Sequence, residues 1–171
     1  MLPLESIRPL FAHMEWADAT VWTSVLAEPR TAGDVVLRDR LHHIHLVQRA
    51  FLSIWTGTAP EFLEPSSFAD LAGLCRWGRD YQPKVKEFLA SVGEASLDQP
   101  MALPWTDMIM ARIGRSPETA MLAETMFQVT SHSTYHRGQV NTRLRELGGE
   151  PPLVDFIVWV WLGKPDANWP G

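Results

Sequence analysis

From Ser116 to Leu147 the chain carries a long helical pattern, and inside it His132 and His136 stand four residues apart. Ser116, Pro117 and Glu118 suit an N-cap, a first helical position and the positive end of a helix dipole. Gly148-Gly149 ends the pattern, with Arg143 and Arg145 in the last turns. On a helix, residues four apart lie on one face a turn from each other. The apolar stripe Leu122, Val129, Val140, Leu147 runs past both histidines, which places both rings inward. Two such imidazoles can converge on one metal ion at about 2.0–2.1 Å, or they are simply half-buried, hydrogen-bonded histidines. A third histidine from another helix tips that balance.

The segment from Asp34 to Trp55 holds three candidates, His42, His43 and His45. Val36, Ile44, Val47, Ala50, Phe51 and Ile54 define one apolar face at ~100° per residue. His43 falls roughly 60–80° from the centre of that face, whereas His42 and His45 fall on nearly the opposite side. His43 is therefore the inward histidine, and the other two are expected in solvent. Arg40 projects near the centre of the same face, where it either snorkels its head to water or holds an anionic group.

The first segment, Ser6 to Ala27, reads as an amphipathic helix capped by Ser6, with Pro9 in its first turn. Its inward stripe is Ile7, Phe11, Met14, Val21, Trp22 and Val25, and His13 lies on the flank. Asp18 sits within that stripe, and a carboxylate facing a core is costly unless paired or ligating. It is a candidate fourth ligand, an acceptor that orients a ligand histidine, a base, or the partner of Arg40.

Between the outer helices, Gly57, Pro60 and Pro65 mark a loop. A third helix is expected from an N-cap at Ser67 to about Val92, kinked at Pro83. Met101–Trp105 and Met108–Ile113 read as the two arms of a short hairpin. The tail around Pro151–Trp159 reads as a short docked helix, with a strand as the alternative. Four amphipathic segments of about 20–32 residues, with a long connection before the last, give an all-α four-helix bundle in one domain. Such bundles build metal sites from inward side chains on facing helices.

At 171 residues with 46% hydrophobic and 20% charged content, the chain has the makings of one soluble domain. A net charge of −5 argues against binding nucleic acid, which needs a basic footprint. The lone Cys75, in an apolar setting, reads as a small core residue and fits a reducing compartment. No basic and apolar leader opens the sequence, and the run Phe156–Leu162 is far short of the ~20 residues that span a bilayer. The cytoplasm is the expected location.

His132-x-x-x-His136-Arg137-Gly138-Gln139 resembles the last-helix hallmark of the DinB-like (DinB/YfiT-like, damage-inducible) metalloenzyme family. Leu41-His42-His43-Ile44, followed by Arg49 and Phe51, resembles that family's second-helix segment. Trp16-Ala17-Asp18 resembles its Trp-Ala-Asn, and Pro151–Ile157 its C-terminal Pro-x-x-x-Asp-Tyr-Ile. The pieces appear in family order across almost the whole chain. Two positions depart from the pattern, Asp18 where asparagine is commoner and Gln48 where glutamate is frequent. The resemblance implies an up-down-down-up bundle, commonly a homodimer, with His43, His132 and His136 holding a divalent transition metal such as zinc or nickel. It also implies, for some relatives, transfer or isomerisation with a low-molecular-weight thiol.

Three neutral imidazoles leave a tetrahedral ion one open position. That position serves a hydrolase acting on a small molecule, or a thiol-dependent S-transferase or isomerase. The rival is a non-catalytic, stress-induced bundle whose metal closes on Asp18 and only stabilises the fold.

Overall fold

In the first helical segment Ile7, Phe11, Met14, Val21, Trp22 and Val25 are all buried, as their spacing requires. The segment forms α1, Leu4–Ala27, in a computed structural model that describes residues 3–171. The helix begins a turn earlier than Ser6, with Pro3 at the N-cap, so Pro9 lies inside it. Helix α2, Val35–Thr56, is capped by Asp34, whose carboxylate accepts the Leu37 N–H at 2.7 Å. It ends at Gly57 in the left-handed region, φ 66°, a conformation that glycine adopts without a Cβ penalty.

The expected third helix is two helices. Asp70, not Ser67, caps α3, Leu71–Arg79, by accepting the Gly73 N–H at 2.7 Å. The chain turns at Asp80–Tyr81, and α4, Gln82–Ser91, follows with Pro83 in its first turn. There the missing proline N–H costs nothing, so the proline opens a new helix instead of kinking an old one. Tyr81, fully buried, anchors the break in the core.

The hairpin expected of residues 101–113 does not form. Strand β1, Pro100–Met101, pairs antiparallel with β2, Ala120–Met121, while the would-be second arm is α5, Thr106–Ile113. This pairing also moves the start of the last long helix. Leu122 and Ala123 donate their N–H groups to the carbonyls of Gln99 and Leu97, which holds the approach to the helix extended. Helix α6 therefore runs Leu122–Glu146, with the Glu124 carboxylate accepting the Met121 N–H, and Ser116 and Pro117 lie before it in coil. The tail is helical as expected, α7 being Phe156–Trp161, with Trp159 packed on Trp16 and Ala17.

The long helix α6 packs against both α2 and α1, and α3 packs against α2 and α1. Two apolar clusters fill the interior. One joins Ile7, Phe11 and Met14 of α1 to Phe51, Val85, Met126 and Val129. The other joins Val21, Trp22 and Val25 to Leu37, Ile44, Leu74, Val140 and Leu144. Between them, on each of the three long helices, the buried face turns polar. Asp18, then His45 and Gln48, then Ser133 and Arg137 occupy the gap, all buried.

The candidate metal centre

This polar layer is one connected network. Trp22 Nε1–H donates to His45 Nε2 at 2.8 Å, so the His45 proton is on Nδ1, which donates to Gln48 Oε1 at 2.9 Å. The Gln48 amide then donates to Asp18 Oδ2 at 2.8 Å and to Ser133 Oγ at 3.1 Å. Arg137 Nη1 donates to Asp18 Oδ1 at 2.9 Å, and its Nη2 donates to Thr134 Oγ1. Asp18 is thus in the interior, as its stripe requires. Its partners are Arg137 and Gln48; neither Arg40 nor any of the three expected ligand histidines is among them. Arg40 is half-buried and donates to the main-chain carbonyl of Gln139 at 2.9 Å.

The network explains where the expected helix phases fail. The buried face of α2 is centred on Leu37, Leu41, Ile44 and Gln48 and takes in His45, roughly a quarter-turn from the face drawn through Val36 and Ile54. Val36 is 44% exposed. His42 and His45 are buried, not solvated, because α3 covers that side. His42 stacks on Trp77 with its Nε2–H donating to the Leu63 carbonyl, and His45 lies against Gly78. A Cβ at Gly78 would come within 2.5 Å of His45 Nε2, so glycine is what lets the two helices approach. His13 is also buried instead of flanking, with its Nε2–H donating to Val154 O at 2.9 Å.

His43, His132 and His136 sit at the same level as the polar layer, at the outer edge of the α2–α6 contact. All three are half-buried, and one ring nitrogen from each lies within 4.8 Å of the other two. The Nε2 atoms of His43 and His132 are 3.1 Å apart. Two imidazole nitrogens on one tetrahedral ion at about 2.0–2.1 Å stand about 3.3 Å apart, so the spacing fits a shared ion. His136 Nδ1–H donates to Gln139 Oε1 at 2.8 Å, which leaves its Nε2 lone pair unprotonated. A partner on the distal nitrogen fixes the tautomer and orientation of a ligand imidazole. Burial, followed by the neighbouring His136 and the third ring, lowers the pKa of His132 to about 4, and the same kinds of cause lower that of His43. Neutral rings are the form a metal ion needs.

A cavity of about 730 Å³ opens beside His43 and His132. Its walls are largely apolar, with Val47, Phe51, Leu103, Trp105 and Ile109 among them, and Glu124, Gln128 and Arg112 are among its polar groups.

The sequence brought forward five site residues. The structure gathers His43, His132 and His136 and gives Asp18 and Arg40 other partners. Gln139 and the Gln48–His45 relay were missed. Gln139 follows His136 by three residues on one helix, a spacing at which side chains meet, and that was the available signal. A sequence model described as the DinB family matches residues 9–166, which takes in all three histidines. No curated protein matches the chain.

Proposed function

We propose, given that the chain belongs to the DinB family, that it is a metal-dependent enzyme with one divalent transition metal, zinc or nickel, on His43, His132 and His136. The observation that carries this reading is the convergence of three ring nitrogens, with two of the histidines, His43 and His132, in the wall of a roomy cavity. A divalent ion there supplies Lewis acidity and eases deprotonation of a thiol or water that reaches it. The chain itself holds three imidazoles in one geometry and sets the His136 tautomer through Gln139. Asp18 acts as a positioning residue, holding Arg137 one residue from His136. Arg40 anchors the α6 backbone at Gln139. The alternation of core levels along α1, α2, α3–α4 and α6 supports an up-down-down-up four-helix bundle.

Thiol S-transfer is the reaction class the geometry supports best. Both oxygens of Asp18 are committed to Arg137 and Gln48, which removes it as a base for water and as a fourth ligand. A thiol would need no such base, since its S–H is acidic enough to give its proton to bulk water beside a divalent ion. Hydrolysis is the second reading, favoured by Glu124, whose carboxylate lines the cavity roughly two turns before His132 on the same helix. Metal analysis of the purified protein is the first test. His43→Ala, His132→Ala and His136→Ala should each empty the site, while His42→Ala and His45→Ala loosen the α2–α3 packing and keep the ion. Full occupancy in His43→Ala would falsify the ligand set. A screen of the loaded protein with cellular thiols and electrophiles follows, and turnover of esters or amides without thiol would replace transfer by hydrolysis.

A further inference from the structure

We infer that the cavity beside the three histidines takes a reactant with a long apolar body and one metal-binding head, of the medium-chain acyl or aryl type. The inference rests on the metal reading and adds the substrate class. A volume of about 730 Å³ suits a small organic molecule rather than a lone ion and its water. Two of the histidines are part of the wall, so a ligand filling the space brings one end to the ring nitrogens.

Apart from Arg112, Glu124, Thr125 and Gln128, the rest of the wall is hydrocarbon and aromatic surface. Leu46, Val47 and Ala50 of α2 form one side, and Phe51 packs edge-on against Trp105 at 5.1 Å on another. A polar body placed there leaves its hydrogen-bonding groups without partners, which costs free energy that an alkyl or aryl body avoids.

The cover of the cavity points the same way. Helix α5 contributes Met108 and Ile109 to the wall, yet it has no buried residue of its own. Met108 is 56% exposed, and Phe62, also in the wall, is 59% exposed. Large apolar side chains on a helix without a core partner are costly to leave wet, and an apolar ligand beneath them gives them something to bury against. The occupant is thus a small amphipathic molecule, head on the ion and body under α5.

A series of straight-chain hydroxamates, from acetohydroxamate to octanohydroxamate, titrated into the zinc-loaded full chain by calorimetry, tests this. Affinity should rise by up to ~4-fold for each methylene that the cavity buries, the transfer free energy of one CH₂. Ile109→Ser, on a surface helix, should weaken octanohydroxamate by about tenfold, in keeping with the apolar contact it removes, and leave acetohydroxamate nearly unchanged. Ala50→Phe, which fills the wall, should shorten the chain length at which affinity stops rising. Failure to take up either zinc or nickel would overturn the metal reading itself. Zinc uptake with affinity that is flat or falls with chain length would overturn the substrate class alone, as would a tenfold loss for both ligands in Ile109→Ser.

Discussion

Arg137 and Asp18, 119 residues apart in sequence, form an ion pair of 2.9 Å in the interior with both side chains almost wholly buried. Removing one partner of a buried pair leaves an uncompensated charge and costs about 3–5 kcal/mol. Asp18→Ala and Arg137→Met should each lose stability on that scale by urea unfolding. The double variant should lose less than the sum of the two. Asp18→Asn should be milder than Asp18→Ala, because its carbonyl still accepts from Arg137. An Asp18→Ala protein as stable as the parent would remove the pair from any account of the fold.

The Gln139 side chain is expected to matter to metal rather than to folding. Gln139→Leu removes the acceptor for His136 Nδ1–H and should weaken metal binding by about 10–100-fold. Gln139→Glu keeps an acceptor and should hold the ion. Competition against a chromophoric chelator measures both, and equal affinities in parent and Gln139→Leu would contradict the role.

Acid should destabilise the chain in a window set by its histidines. Burial lowers the pKa values of His45, His13 and His43 from 6.5 in the folded state. Below about 6.5 the unfolded chain then binds more protons than the folded one, so stability is full above that pH and falls beneath it. His45 adds to this because it is fully buried and its Nε2 already accepts from Trp22, and burial holds His132 down to about 4. Urea midpoints at pH 8, 7, 6 and 5 should drop only below 6.5. A midpoint that stays level or rises between pH 6.5 and 5 would show that these rings do not titrate as described.

Cys75 should be chemically quiet. It is buried, and burial pushes its thiol up to about 11 despite the two arginines nearby. A disulfide reagent at pH 8 should modify it only once denaturant is added. Rapid labelling of the native protein would place the residue at the surface.

The first helix is legible because the stripe from Ile7 to Val25 is apolar except at Asp18, although His13 and Glu15 beside it are buried as well. The second is read a quarter-turn out of phase for one physical reason: Gln48 and His45 lie on its buried face, and hydrophobic periodicity counts such residues as solvent-facing. The stripe drawn on the last long helix holds at Leu122, Val129 and Val140, with Ser133 and Arg137 buried beside it. Their burial makes sense only when Asp18 is known to lie opposite, a fact about three helices at once. The His132–His136 pair is legible because its four-residue spacing does not depend on phase, whereas His43, chosen on a face a quarter-turn off, rests on the family resemblance. The cavity is not legible. Its cover, α5, is only eight residues long and has no buried residue, and the 97–99 stretch that redirects the start of α6 acts through main-chain hydrogen bonds that any residues could make. Residues 116–118 have good helix-start chemistry, and tertiary pairing overrode it.

Helix α5 hangs between the two paired strands and lends the interior nothing. Segments of this kind are where a scaffold can change without endangering itself, because substitutions, insertions or a wholesale exchange there leave the packed helices untouched. The histidines belong to the permanent part of the molecule and the cover to the replaceable part. A lineage built this way can keep one histidine cluster and change what lies beside it by rewriting the eight residues of α5. The same boundary offers protein engineers a place to graft new recognition onto an old centre.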